Sequence, residues 1–133
     1  MKRLYIAVLA SALSLSSAYT QAEEMPKSAK QLTGDQIPEF LDGKKFDVKI
    51  VDADAPITAT TNYNWNTKKI KGTFEYKGQK GEFENDWIVK GETSCGEKTP
   101  KGKWICQKIF IDGDTMYEVN AKGKLHAISK PGS

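Results

Sequence analysis

From Lys44 onward, the chain consists of short segments in which apolar and polar residues alternate, and this alternation constrains the fold more than any other feature. In the first segment, KKFDVKIV, the apolar residues Phe46, Val48 and Ile50 alternate with lysine and aspartate. This is the pattern of a strand with one buried face. The same pattern is found in six further segments: ITATTNYNWN, KIKGTFEYK, GEFENDWIVK, KWICQKIFI, TMYEVN and LHAIS.

The connections between these segments are short. Asp112-Gly113 and Lys122-Gly123 are hairpin signals between β-type runs. Because such connections leave no room for crossover helices, neighbouring strands should be antiparallel. The predicted fold is therefore mainly β, a small antiparallel β-barrel or sandwich of about seven strands.

A short N-terminal helix is predicted before the strands, in the segment LTGDQIPEFLDGK. Ile37, Phe40 and Leu41 share one face at helical spacing, and that face is expected to pack on the sheet. Thr33 or Asp35 can cap the helix at its start. Gly43 is placed to end it.

The first residues have the features of an export signal. Lys2 and Arg3 precede an apolar run from residue 4 to residue 15, and Thr20-Gln21-Ala22 fits a signal-peptidase site. Cleavage is predicted after Ala22, with Ala18 as a second candidate. The apolar run is shorter than the about 20 residues that span a bilayer, so no membrane span is expected. The predicted location is the periplasm or the medium (secreted).

The chain divides accordingly into four parts. The prediction is a signal peptide over residues 1–22, a flexible N-terminal lead-in over 23–31, a single β-rich domain over 32–129 and a loose tail over 130–133. Without its signal peptide, the chain is long enough for one core and too short for two.

The charge of the exported part disfavours a nucleic-acid partner. Without Lys2 and Arg3, the chain keeps 18 lysines against 17 carboxylates, and it contains no arginine. Arginine is the preferred side chain for bidentate contacts with phosphate and guanine. Lysines interspersed with acids are typical of a solvated surface, so no nucleic-acid binding is expected.

The two cysteines, Cys95 and Cys106, are predicted to form a disulfide. They flank CGEKTPKGKWIC, whose spacing is neither a zinc knuckle nor a C-x-x-C redox pair. An exported protein with two cysteines most simply oxidises them together. If the flanking strands pair, the cysteines face each other across a hairpin, and closing a loop of about 12 residues contributes roughly 3 kcal/mol.

Most tryptophans and tyrosines are predicted to be core residues, because they lie in β-type runs. Tyr63 and Trp65 are the exceptions. Their segment, TTNYNWN, interleaves aromatic rings with side chains that can hydrogen-bond a polar ligand. Tyr63 and Trp65 are therefore the candidate ligand-binding residues.

No catalytic site, metal site or cofactor is predicted. His126 is the sole histidine and has no nucleophile motif beside it, so we expect a surface or partly buried strand residue. Asp112, Asp114 and Glu118 in DGDTMYE resemble a calcium loop, but they lack the ligand spacing and the terminal glutamate of an EF-hand, and DGD is better interpreted as a turn between two strands. Asp52 and Asp54 are expected in a solvated loop.

Three long segments resemble a known family. LTGDQIPEFLDGKKF, GTFEYKGQKGEFENDWIVKGETSC and WICQKIFIDGDTMYEVNAKGKLHAI are similar to domain of unknown function family 995, a group of small exported proteins of Gram-negative bacteria. The resemblance covers most of residues 30–128. It implies a periplasmic β-rich domain with paired cysteines and supplies no catalytic residues.

The leading functional hypothesis is a non-enzymatic periplasmic or secreted protein that binds an envelope component, a small ligand or a protein partner. One alternative is an inhibitor of a cell-wall-degrading enzyme such as lysozyme, with the loop between the cysteines as its arm. A second alternative is a carboxylate-based hydrolase. That activity would require two carboxylates about 5–10 Å apart in one cleft.

Overall fold

The computed structural model describes residues 24–96 and 100–132. The predicted signal peptide and both cleavage sites lie outside these residues. Within them, no helix has the length and apolarity that a membrane crossing requires. The elements are β1 (Lys30–Gln31), α1 (Gln36–Leu41), β2 (Lys45–Ile50), β3 (Ile57–Asn64), β4 (Lys69–Tyr76), β5 (Gln79–Lys90), β6 (Thr93–Gly96), β7 (Ile105–Asp112), β8 (Thr115–Val119) and β9 (Leu125–Pro131).

Strands β2 to β9 form a closed up-and-down barrel. Each strand pairs antiparallel with the next along the chain, and β9 closes the barrel on β2. The predicted mainly β, antiparallel barrel is confirmed, and a sandwich is not formed. The predicted number of about seven strands is too low, because eight strands close the barrel and β1 adds a ninth.

The N-terminal segment fills the seam beside β7. β6 pairs with residues 105–108 of β7, and β1 continues along the same edge through Lys30↔Ile111 and Gln31↔Phe110. The Leu32 N–H then donates to the Ile109 carbonyl at 2.8 Å. Two residues of the predicted lead-in are thus part of the sheet, and β9 reaches Pro131, inside the predicted tail.

Helix α1 covers one end of the barrel, which we call the closed end. The Thr33 N–H donates to Gln36 Oε1 at 2.9 Å, whereas Asp35 makes no side-chain capping bond. Only this half of a capping box is formed, and the Thr33 carbonyl accepts from the N–H groups of Gln36 and Ile37. Gly43 follows the helix with φ +76°, a conformation that glycine adopts without steric cost. Ile37 and Leu41 are fully buried, as their spacing predicted.

A row of aromatic rings fills the closed end. Neighbouring ring centroids along the row are 4.9 to 6.2 Å apart, distances at which aromatic pairs attract each other. The indole N–H of Trp87 donates to Ser94 Oγ at 2.9 Å, so this fully buried ring leaves no unpaired donor. The members of the row, in order, are Phe40, Phe46, Tyr63, Trp87 and Trp65.

The predicted Cys95–Cys106 disulfide is present. The two residues lie directly opposite each other on β6 and β7, with their Cα atoms 4.0 Å apart. In the register, Ser94 and Gln107 point into the barrel, so the disulfide lies on the outer face. A disulfide is consistent with an oxidising compartment.

The opposite end, which we call the open end, has an incomplete wall. β6 pairs only with residues 87–90 of β5. Within the described part of the chain, residues 79–86 of β5 pair with β4 alone. Among the described residues, no strand therefore joins this part of β5 to β7, and we call this unpaired edge of β5 the incomplete wall.

Candidate functional site

The inner face of the barrel changes from apolar to polar above the aromatic row. Inward positions are identified by the register, because side chains alternate between the two faces of each strand. Glu118 lies opposite Ile109 and Ala127, both of which are fully buried. Besides Ser94, whose hydroxyl accepts from the Trp87 indole, this inner face carries the polar side chains Thr61, Gln107, Glu118 and Ser129. We call them the inner polar group.

Two atoms of the inner polar group, Gln107 Oε1 and Ser129 Oγ, are buried without a hydrogen-bond partner. Thr61 Oγ1 is also buried, and the Thr61 side chain interacts with the Tyr63 hydroxyl and thereby lowers the pKa of Tyr63. Ser129 is fully buried, and Thr61 and Gln107 are 9% and 8% exposed. A buried polar atom left unpaired costs about 1–3 kcal/mol, so an unpaired set on one inner face indicates that something else completes it.

Glu118 is an acid in an environment that disfavours its charge. Burial raises the pKa of the Glu118 carboxyl above its usual value, and the nearby His126 partly opposes this effect. Burial also raises the pKa of Tyr63 well above its usual value, and the charge of Glu118 adds to that shift. The Tyr63 hydroxyl therefore stays protonated beside Glu118 at neutral pH.

The inward positions near the open end carry exposed apolar side chains. Phe74, opposite Ala59 on β3, is 37% exposed, and Ile105 at the start of β7 is 42% exposed. The Phe74 ring covers Gly81 on β5, where a side chain would collide with it. Ile105 lies on β7 and the Phe74 ring packs over β5, the strands on the two sides of the incomplete wall. Solvent therefore reaches the inner face of the barrel at this end.

Side-chain hydrogen bonds and one ion pair join the loops at the open end to the barrel. His126 Nδ1 is 2.8 Å from Asp52 Oδ1, and both side chains are less than one third exposed. Asn120 Nδ2 donates to Asp52 Oδ2 at 3.4 Å. The Tyr76 hydroxyl donates to Asp54 Oδ1 at 3.1 Å. His126 is the partly buried strand residue that was predicted, whereas Asp52 and Asp54 anchor the β2–β3 connection.

The predicted ligand-binding residues Tyr63 and Trp65 lie together at the closed end. Tyr63 is only 6% exposed, with its ring between those of Phe46 and Trp87. Trp65 is half-buried, and Lys68 Nζ lies 3.6 Å from its ring centroid. Tyr63 and Trp65 both belong to the aromatic row. Of the two, only Tyr63 also interacts with the inner polar group, through the charge of Glu118.

The sequence interpretation placed Glu118 in a strand, which is confirmed, but it did not identify the inner polar group. The signal was present in TMYEV, where Glu118 falls two residues after the apolar Met116 and therefore on the same face. The turn itself is formed by Gly113 with φ +63°, and Ser28 Oγ donates to Asp112 Oδ2 at 3.0 Å. Among the described residues, no three histidine, cysteine or carboxylate side chains are grouped as a metal site.

The outer wall has a broad groove of about 1070 Å³ across β9, β2, β3, β4 and β5. Its lining includes Lys80 and Glu75, which form an ion pair at 3.6 Å. The hydroxyls of Thr60 and Thr73, also in the lining, bond each other at 2.7 Å. These polar groups are satisfied within the protein, in contrast to those of the inner polar group.

Comparison of the chain with protein-family models, with curated proteins and with solved structures finds no match in any of the three.

Proposed function

We propose that this protein is a periplasmic or secreted binding protein that holds a small amphipathic molecule inside its barrel and does not transform it. The ligand enters at the open end and places its polar part against the inner polar group. Its apolar part lies against Phe74 and Ile105. Membership of domain of unknown function family 995 is part of the same proposal, and it rests on the segments that carry the resemblance.

The observation that carries this proposal is the pair of unpaired atoms on Gln107 and Ser129. A barrel of eight strands is the size that is filled by side chains or holds one small ligand. Ligand sites are typically apolar with a few placed polar groups. The exposed inward positions of Phe74 and Ile105 supply the apolar part and the route of entry.

Binding of N-phenyl-1-naphthylamine, a neutral amphiphile whose fluorescence rises in apolar surroundings, tests the proposal. The purified protein should enhance the fluorescence saturably. Ala59→Phe inserts a ring at an inward position opposite Phe74 and should weaken binding at least tenfold.

Thr58→Phe is the matched control, because Thr58 is the exposed outward neighbour of Ala59. This variant should bind the probe as the wild type does. Circular dichroism shows whether both variants keep the fold. Absence of saturable binding to the wild type, or equal loss in the two folded variants, contradicts a site inside the barrel.

A further inference from the structure

Glu118 lacks a partner on the inner face of the barrel. Among the described residues it takes part in no hydrogen bond and no ion pair. Its neighbours in the register are Ile109 and Ala127, which offer no donor side chain. His126, which acts on it electrostatically, is bonded to Asp52. A carboxyl group in this position is available to a ligand.

The unpaired atoms near Glu118 can also accept a hydrogen bond from a donor group on a ligand. Gln107 Oε1 can only accept a hydrogen bond, and the hydroxyl oxygen of Ser129 can accept as well as donate. Gln107 lies two residues from Ile109 on β7, on the same face, so it is a diagonal neighbour of Glu118. Ser129 lies two residues from Ala127 on β9 and is diagonal to Glu118 from the other side.

The chemistry of these groups selects the charge of the ligand. A carboxylate or phosphate would bring negative charge to Glu118 and present no donor to Gln107 Oε1. A primary ammonium presents three donors and a positive charge, and charge-assisted hydrogen bonds to a carboxylate are the strong ones. The phenol of Tyr63, protonated beside Glu118, adds no competing charge.

We propose that the ligand is a cationic amphiphile, a primary amine on an apolar body, whose ammonium group is held by Glu118 with Gln107 and Ser129. This inference rests on the proposed function. The amine enters as the ammonium ion, and where Glu118 is protonated in the empty site its proton passes to solvent. The apolar body extends towards Phe74 and Ile105 at the open end.

Displacement of bound N-phenyl-1-naphthylamine at pH 7 by two competitors of equal length tests the inference. Octylamine is an ammonium ion at this pH, and 1-octanol is its neutral counterpart. Octylamine should displace the probe at a concentration at least tenfold lower than 1-octanol does. Glu118→Gln should remove this preference, so that octylamine and 1-octanol displace the probe at similar concentrations.

Glu84→Gln is the control, because Glu84 is an exposed outward residue of β5 paired with Lys71 at 3.1 Å. It should keep the full preference for the amine. Equal displacement by the two competitors in the wild type overturns the inference, and this outcome does not depend on whether a variant folds. A preference that persists in folded Glu118→Gln also overturns it.

The two proposals fail in different ways. If the probe does not bind the wild type at all, the proposed function fails. If the probe and 1-octanol bind but octylamine has no advantage, the barrel is a ligand site and the assignment of an amine is wrong. In that second case, ordered water is sufficient to complete the inner polar group.

Discussion

Among single residues, Glu118 has the clearest consequence for stability. A carboxyl whose pKa is raised by folding is favoured in the native state as the protonated acid. Its contribution to stability is therefore fully present below its unfolded-state pKa. That contribution is lost as the pH rises through the higher pKa of the folded state.

Glu118→Gln should therefore make the protein more stable than the wild type at pH 7, and the difference should shrink as the pH falls towards 4. Glutamine keeps the shape of the acid and carries no charge. Urea unfolding at a series of pH values measures the difference. A variant that is less stable at pH 7 than the wild type would contradict the assignment of Glu118 as a destabilising buried carboxyl.

Whether the sequence predicts the role of a residue depends on what determines that role. The pairing of Cys95 with Cys106 was predictable, because two cysteines in a chain with the features of an export signal have one simple pairing. The role of Gln107 depends on which atoms surround it inside a closed barrel. No pattern along the chain contains that information. Tyr63 was singled out because its segment interleaves aromatic rings with polar side chains. Its position in the aromatic row follows only from the closure of the barrel.

At the scale of the elements, Gly72 determines how closely β3 and β4 approach. A Cβ built at Gly72 collides with the carbonyl oxygen of Thr60, which is backbone and cannot move away alone. A Cβ at Gly96, on β6, meets its nearest atoms at 3.5 Å, an ordinary contact distance. The two glycines thus differ in the room that surrounds them.

Gly72→Ala should destabilise the protein by about 1–3 kcal/mol, the usual range for overpacking. The matched substitution Gly96→Ala should cost less than about 1 kcal/mol. Urea unfolding of the two variants at one pH gives the comparison. If the two variants lose equal stability, the close approach at Gly72 is not what constrains that position.

The strands themselves were largely predictable, because alternation is a local property of the chain. The errors occurred where tertiary pairing creates a strand from a short or polar segment. β6 has four residues, and β1 has two exposed ones that become a strand only by lying along β7. A register shift between Glu118 and Val119 was equally invisible, since it arises from the pairing of β8 with β9.

At the scale of the whole molecule, the two ends of the barrel differ in how completely they are filled. Leu41, the last residue of α1, is fully buried at the closed end, whereas Ile105 at the open end is 42% exposed. Packing stabilises the closed end, and the open end is left accessible. Which end of the barrel would be covered could not be inferred from the order of the elements alone.

Leu41→Ala should therefore cost about 2–5 kcal/mol of unfolding free energy. Ile105→Ala should cost less than about 1.5 kcal/mol, because much of that side chain is already in water. Chemical denaturation measures both values. A large loss for Ile105→Ala would mean that the open end is packed in solution, and the proposed route of ligand entry would then be wrong.

The pairing of β9 with β2 has a consequence for the order of events during synthesis. Phe46↔Pro131 and Ile50↔Ala127 join residues that are 85 and 77 positions apart in the sequence. The successive hairpins from β2 to β8 can form as each strand emerges, whereas the ring cannot be completed until residues 125–131 are available. A nascent polypeptide therefore presents an unclosed curved sheet, with its interior accessible from the side, until its last strand arrives.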